Sequence, residues 1–275
     1  MTIFARLAAA LALLACGAAH AAITCSVASP GATAAYDPAS ALTDVTQSFL
    51  TVTCTRGSAA DPSSVAWSVR ANNGQNPGGG SNRASRAGGG RINYDFYREA
   101  SCATRFQNLA TLTGTINFAA TGTQSQQGNF WICIPAGQNV AAGTFTDRVT
   151  LTLAYGASTG VGFVDVTIVS PPTCSIPVAP GTVALSYTSL GAAATASTIF
   201  QVNCTATQAY TMALDATSGT LLGLNYTLAL SSPGAVGTGG NQAHTITGTI
   251  PAGQAGTCAV GTCSATAVRT LTITY

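Results

Sequence analysis

Hydrophobic and polar positions alternate with a period of two along most of the chain. The clearest alternating runs are Val65, Trp67 and Val69; Leu112, Ile116 and Phe118; and Tyr210, Met212 and Leu214. Clusters of Gly, Pro, Asn and Ser separate these runs, and no stretch keeps an apolar face at helical spacing for three turns. Because a period of two is that of a half-buried strand, the pattern predicts an all-β protein whose many short strands pack as β-sandwiches.

The chain also repeats itself. Five landmarks occur twice in the same order: Thr24-Cys25-Ser26-Val27 and Thr173-Cys174-Ser175-Ile176; Cys54 and Cys204; Asn93-Tyr94 and Asn225-Tyr226; Ile134-Pro135-Ala136-Gly137-Gln138 and Ile250-Pro251-Ala252-Gly253-Gln254; and the runs 149–155 and 269–275. A repeat of this length indicates a tandem duplication. The sequence therefore predicts two domains of one type, residues 22–170 and 171–275.

Two segments lie outside the repeat. Residues 71–91 are rich in Gly and Asn, contain three arginines, occur only in the first copy, and are predicted to form a long exposed loop. Between the copies, residues 156–160 are typical of a turn, and residues 162–168 place Val164, Val166 and Ile168 on one side of an extended chain. The second of these is predicted to be a strand.

The N-terminal 21 residues have the features of a secretory signal peptide. Arg6 is followed by an apolar run and then by the small-residue ending Ala19-His20-Ala21, which predicts cleavage after Ala21. An alternative is lipoprotein processing at Cys16, which the preceding Leu13-Leu14-Ala15 would also permit. Either route sends the chain out of the cytoplasm, and cleavage after Ala21 leaves eight of the nine cysteines.

An exported chain meets an oxidising compartment, so disulfide bonds are expected. Four cysteines fall in each half, which allows three pairings per half. Among these we favour Cys25–Cys54, Cys102–Cys133, Cys174–Cys204 and Cys258–Cys263.

Charge is scarce. Only 7% of the residues are charged, all ten basic residues are arginines, and the formal net charge is +2. So neutral a chain lacks the electrostatic attraction that general nucleic-acid binding requires, and no nucleic-acid partner is expected.

The Cys-Ser-Val/Ile starts, the Asn-Tyr pairs, the Ile-Pro-Ala-Gly-Gln turns and the final strand of residues 269–275 together resemble the spore coat protein U domain family, the pilins of archaic chaperone-usher fimbriae. The resemblance covers both halves and is clearest from residue 171 onward. It implies an immunoglobulin-like sandwich without its final strand, which a neighbouring subunit supplies. It also implies a periplasmic chaperone, an outer-membrane usher and a place in a surface fimbrium.

Such a subunit should carry a donor strand before its first cysteine, yet after cleavage only Ala22, Ile23 and Thr24 precede Cys25. Three residues cannot span a sandwich at about 3.3 Å each. We therefore expect residues 162–168 to complete the first domain from within the chain. In the second domain Leu271, Ile273 and Tyr275 are expected to line an open groove.

A chain that accepts a strand but donates none resembles a two-domain tip adhesin, with a first domain that binds an unknown surface or glycan target. A shaft or adaptor pilin, or a surface protein similar to spore coats, is the alternative. The predicted target-binding residues are Arg83, Arg86, Arg91, Phe96 and Tyr97. Trp131 is a second candidate, although the favoured interpretation of Trp131 is a tryptophan buried in the core. For residues 71–91 the competing interpretation is a flexible loop without a partner.

Enzyme motifs are weak. Gly156-Ala157-Ser158-Thr159-Gly160 fits the pattern of a serine nucleophile elbow, and Asp215 and His244 follow in the order of a hydrolase triad. Such an elbow requires a helix after the serine, whereas the sequence predicts a strand. After cleavage His244 is the only histidine, so a histidine-based metal centre is not expected, and no cofactor motif is present. The chain is predicted not to be an enzyme.

Overall fold

The computed structural model describes residues 23–38, 40–79, 81–107, 110–259 and 261–275. The predicted signal peptide and Cys16 lie outside the described residues. The described residues form strands, turns and irregular connections without a helix, as the period-two pattern predicts. No described helix could cross a membrane.

Ten strands, β1–β10, form the first sandwich. They are β1 (Thr24–Ala28), β2 (Ala32–Ala35), β3 (Asp44–Arg56), β4 (Ser64–Ala71), β5 (Asn82–Ser85), β6 (Arg91–Tyr97), β7 (Leu112–Asn117), β8 (Gly122–Ile134), β9 (Gly143–Tyr155) and β10 (Ser158–Ser170). One layer has the order β1-β3-β8-β6, and the other contains β7-β4-β9-β10-β2, with β5 joining β6 to β9. Inward-facing side chains from both layers share one apolar core.

Eight strands, β11–β18, form the second sandwich. They are β11 (Cys174–Val178), β12 (Ala194–Cys204), β13 (Ala209–Leu214), β14 (Ser218–Leu221), β15 (Leu224–Leu230), β16 (Gly234–Val236), β17 (Asn241–Ile250) and β18 (Leu271–Thr274). The layers have the orders β11-β12-β17-β15-β14 and β16-β13-β18, around a smaller core. The fold is thus two tandem immunoglobulin-like sandwiches, the second without its final strand. The first strand of the second sandwich, β11, begins four residues after β10 ends. The predicted domain boundary lies in this short connection.

The repeated Ile-Pro-Ala-Gly-Gln motif performs the same task in both sandwiches. In the first, the carboxamide of Gln138 accepts the N–H of Asn93 at 2.7 Å and donates to the Asn93 carbonyl at 2.9 Å. In the second, Gln254 does the same with Asn225, at 2.7 and 3.0 Å. The glutamine therefore ties the turn after one long strand to the strand beside it, which explains why the Asn-Tyr and Gln landmarks recur together.

Four disulfide bonds join the cysteines that the sequence favours as partners, Cys25–Cys54, Cys102–Cys133, Cys174–Cys204 and Cys258–Cys263. The first and third link equivalent positions, because each joins the opening strand of a sandwich to its neighbour in direct register.

The prediction of one exposed loop over residues 71–91 is wrong for its second half. Strand β5 pairs with β6, and Asn82 and Ala84 are fully buried. The alternation extends over only four residues, with Asn82 and Ala84 inward and Arg83 and Ser85 outward. A run this short within a Gly-rich segment gives too weak a periodic signal to predict.

Candidate functional site

Strand β10 completes the first sandwich from within the chain. It pairs antiparallel with β9 along thirteen residues and parallel with β2. Val164, Val166 and Ile168 face the core and are at most 1% exposed. The structure therefore places the predicted inserted face between β9 and β2, inside the first core.

Two glycines allow β10 to lie under β1. Gly160 and Gly162 are on the inward face of β10, where the carbonyls of Cys25 and Val27 approach. A Cβ at position 162 would lie 2.2 Å from the Val27 carbonyl oxygen. Only glycine fits there without a shift of backbone, so the first strand and the inserted strand are packed directly together.

Among the described residues, the second sandwich has a counterpart for every strand of the first except β2 and β10. The order β11-β12-β17-β15 matches β1-β3-β8-β6, and β16-β13-β18 matches β7-β4-β9. Strand β18 pairs with β13 on one edge only, and among the described residues no strand pairs with its other edge. The position that β10 fills in the first sandwich is open in the second.

The strand beside this gap is shorter than its counterpart in the first sandwich. Strand β9 has thirteen residues, whereas its counterpart β18 has four. The residues just before β18, 264–269, correspond to residues 144–149 of β9 but lie outside any strand and have no ladder partner. Their backbone N–H and C=O groups can therefore pair with another strand. Thr270 differs, because its N–H and C=O are both bonded to Asp215.

The far wall of the gap is the segment that corresponds to β2. Tyr187 accepts the N–H of Gln254 at 2.8 Å, as Tyr36 accepts that of Gln138 at 2.7 Å, so the two tyrosines are equivalent. The inward residues of the first copy, Ala32, Ala34 and Tyr36, are buried, whereas their counterparts Val183, Leu185 and Tyr187 are half-buried. Sequence reasoning missed these three wall residues, although their alternation was a signal for them.

Between these walls lies a groove of about 1100 Å³. Its floor is apolar and includes Leu214, Leu224, Leu228, Ile246, Ile250 and Leu271. The predicted groove residues divide between two cavities. Leu271 lines the main groove, whereas Ile273 and Tyr275 line a smaller cavity of about 230 Å³ that shares Ile176 with it.

One charged side chain stands in the groove wall. Arg269 occupies the position of Val149 in the first sandwich, on the inward face of the strand beside the gap. Its guanidinium lies 5.7 Å from the centre of the Tyr226 ring and donates to the Tyr226 hydroxyl. The second sandwich thus has an arginine where the first has an aliphatic residue, on the strand beside the gap.

The predicted target-binding residues do not all face outward. Arg83 donates to the carbonyls of Asn76 and Pro77, and Arg86 donates to those of Gly89 and Ala142. Arg91 is exposed at the start of β6. Phe96 is fully buried among aromatic side chains, so its prediction as a target-contacting residue is wrong. Tyr97 lies on the opposite, outward face of the same strand and is half-buried.

Trp131 lies beside Tyr97. On the outward face of the first layer, Gln47, Trp131 and Tyr97 stand in direct register on β3, β8 and β6. Gln47 is exposed and the two aromatic residues are half-buried. The sequence suggested a buried tryptophan here, but its inward neighbours Phe130 and Ile132 occupy the core instead.

The residues of the hydrolase interpretation are not brought together. Ser158 begins a strand in the first sandwich rather than preceding a helix. His244 is buried in the second sandwich, where its Nε2 lies 2.7 Å from the Tyr210 hydroxyl, and Asp215 accepts the N–H of Thr270. Among the described residues there is no cluster of three potential metal-ligating side chains.

His244 gives the second sandwich a predictable dependence on pH. Burial against Phe200 and Tyr210 lowers the pKa of His244, so the folded chain holds the neutral imidazole while the unfolded chain takes up a proton near pH 6.5. The contribution of His244 to the free energy of unfolding is therefore fully present above pH 6.5. Below pH 6.5 the free energy of unfolding should decrease, with a slope of at most about 1.4 kcal/mol per pH unit.

Urea unfolding of the wild-type chain and of His244→Gln between pH 7.5 and 5 measures this effect. The histidine contribution should disappear in the glutamine variant. An identical pH dependence in both chains would show that His244 does not cause it.

Comparison with known proteins identifies the family. The model of the Spore Coat Protein U domain matches residues 10–152, just over half of the chain. This match lies on the first copy, whereas the motifs in the sequence are clearest in the second. No curated protein sequence matches the chain.

Two solved structures are similar to the chain. A chain in the CsuC–CsuE chaperone–tip subunit pre-assembly complex from archaic chaperone-usher Csu pili of Acinetobacter baumannii is 14% identical, with 91% of this chain and 99% of that chain covered and a TM-score of 0.47. The CupB6 tip adhesin of Pseudomonas aeruginosa is 11% identical, with 91% and 94% covered and a TM-score of 0.38. With a family match over more than half of its length and an all-β sandwich fold, the chain belongs to the spore coat protein U domain family.

Proposed function

We propose that this chain is a fimbrial subunit of the chaperone-usher type whose second sandwich accepts a strand from a neighbouring subunit. One observation carries the proposal: the position that β10 occupies in the first sandwich is an open apolar groove in the second. Membership of the spore coat protein U domain family supports it.

An added strand would stabilise the second sandwich in two ways. It supplies hydrogen-bond partners to residues 264–269 and to the free edge of β18. It also covers the half-exposed side chains Val183, Leu185 and Leu271. Strand addition of this kind draws its affinity from main-chain hydrogen bonds and its specificity from alternate side chains that enter the groove. A periplasmic chaperone would protect the same groove before an outer-membrane usher assembles the subunit.

We place the subunit at the tip. Strand β10 is fully used inside the first sandwich, where it is buried between β9 and β2. Strand β1 is likewise committed, because it pairs with β3 and carries the Cys25–Cys54 disulfide. The described strands of the first sandwich therefore have none to offer a neighbour, while the second sandwich can receive one.

In this position the first sandwich faces outward, and we propose that it binds the surface or glycan target. Its outward face with Gln47, Trp131 and Tyr97 combines aromatic surface with an amide, a combination suited to contact with a partner. The exposed Arg91 lies on the same strand as Tyr97.

Immunogold labelling of an epitope inserted in the turn at residues 86–90 tests the position. A tip subunit gives one cluster of label at the fibre end, and deletion of its gene leaves the shaft antigenically intact. Label along the whole fibre would instead identify a shaft or adaptor pilin.

Recovery of the full chain from the periplasm should depend on the co-expressed chaperone.

A further inference from the structure

The groove of the second sandwich contains an arginine whose hydrogen bonds are incomplete. Arg269 is on the inward face beside the gap, between the exposed Val268 and Thr270. Its Nε atom is buried and has no hydrogen-bond partner among the described residues. A buried N–H of a charged group costs free energy when it has no acceptor. The unsatisfied Nε of Arg269 therefore destabilises the open groove.

The surrounding residues hold the guanidinium in place. Its Nη2 donates to the Tyr226 hydroxyl, and the Tyr226 ring lies beneath it. Gly219 makes room for both groups, because a Cβ there would lie 2.5 Å from the Tyr226 oxygen and 2.6 Å from Nη2. The arginine is therefore positioned by the sandwich and is not a mobile surface side chain.

The first sandwich shows which residue of an inserted strand would face it. In the β9–β10 ladder, Val149 pairs directly with Val164. Arg269 takes the place of Val149, so an incoming strand in the same register places its counterpart of Val164 opposite the guanidinium. Side chains directly opposite in an antiparallel pair have Cβ atoms about 5 Å apart, within reach of a glutamate and an arginine.

We propose that the donor strand of the neighbouring subunit carries an acidic side chain at this position, and that Arg269 selects it. The inference rests on the proposed strand-accepting function and adds the chemistry of the partner. An aliphatic residue there would cover the charge without satisfying it, whereas a carboxylate accepts from Nε and compensates the positive charge. The internal strand β10 has valine at this position, which packs against Val149 but would offer Arg269 no hydrogen-bond acceptor.

Four synthetic peptides test the proposal against the full-length mature chain. The parent has the sequence of residues 158–170, and the others carry Val164→Glu, Val164→Gln or, as an outward-facing control, Thr167→Glu. Fluorescence anisotropy measures their dissociation constants. The Val164→Glu peptide should bind about tenfold more tightly than Val164→Gln, equivalent to about 1.4 kcal/mol. The Thr167→Glu peptide should bind like the parent.

The same peptides on the Arg269→Gln chain complete the cycle. There the advantage of glutamate over glutamine should vanish, and Arg269→Lys should retain part of it. Equal binding of the Glu and Gln peptides to the wild-type chain, or an advantage that survives in Arg269→Gln, would overturn the inference while leaving strand addition intact. If none of the peptides binds, the strand-accepting function itself is wrong.

Discussion

A copy of residues 156–170 attached after Tyr275 should convert the second sandwich into a self-completed domain. Tyr275 corresponds to Tyr155, which leads through the turn at Gly156 into β10, so the added segment can fold back along β18 in the same way. Covering the groove with three aliphatic side chains contributes roughly 1.5–3 kcal/mol each before the cost of ordering the segment. A net gain of about 3 kcal/mol would raise the Tm of a domain of this size by roughly 15 °C.

Differential scanning calorimetry of the extended and unextended chains measures this gain. The matched control carries Asp in the copied positions of Val166 and Ile168, which keeps the length and the turn but places carboxylates in the apolar groove. The control should melt like the unextended chain. Equal stabilisation by both extensions would mean that groove filling is not its cause.

The second large effect is expected from Val166→Asp in β10 itself. Val166 is 1% exposed and stands directly opposite Asp147, itself buried, so the change places two carboxylates in contact inside the core. An unpaired buried charge of this kind costs ~4 kcal/mol or more, enough to unfold a typical domain of marginal stability. The first sandwich should lose its thermal transition and become sensitive to protease.

Val161→Asp is the matched control, since Val161 is on the outward face of the same strand and is 64% exposed. Its free energy of unfolding should change by no more than about 0.5 kcal/mol. In both variants the second sandwich should still bind the strand peptide. Resistance of the Val166→Asp chain to protease would show that β10 is not needed to complete the first sandwich.

Much of this architecture can be predicted from the sequence because most of its strands alternate regularly between apolar and polar residues. The period-two runs predict an all-β fold, and the paired landmarks predict the tandem arrangement. The hydrogen bonds of Gln138 and Gln254 explain why these landmarks are reliable, since each motif performs one structural task in each copy. The alternation of Val164, Val166 and Ile168 suffices to predict a strand with one apolar face.

Other features depend on information that local patterns lack. Strand β5 is too short and too polar to predict, and its position depends on pairing with β6. The prediction that Phe96 contacts a target is wrong because Phe96 faces the core. Ile92 and Tyr94, four and two residues before it on the same strand, indicate this inward direction. The role of Arg269 depends on where the gap lies: its alignment with Val149 is visible in the sequence, but its missing acceptor is visible only in the folded groove.

Amide hydrogen exchange of the mature chain, alone and with the peptide of residues 158–170, tests strand addition most directly. In the chain alone, residues 264–269 have no ladder partner and should exchange rapidly. With the peptide bound, protection should rise by about two orders of magnitude in residues 264–274 and 183–187, the two walls of the groove. Unchanged exchange in both segments, or protection confined to another part of the chain, would contradict the proposal that this groove accepts a strand.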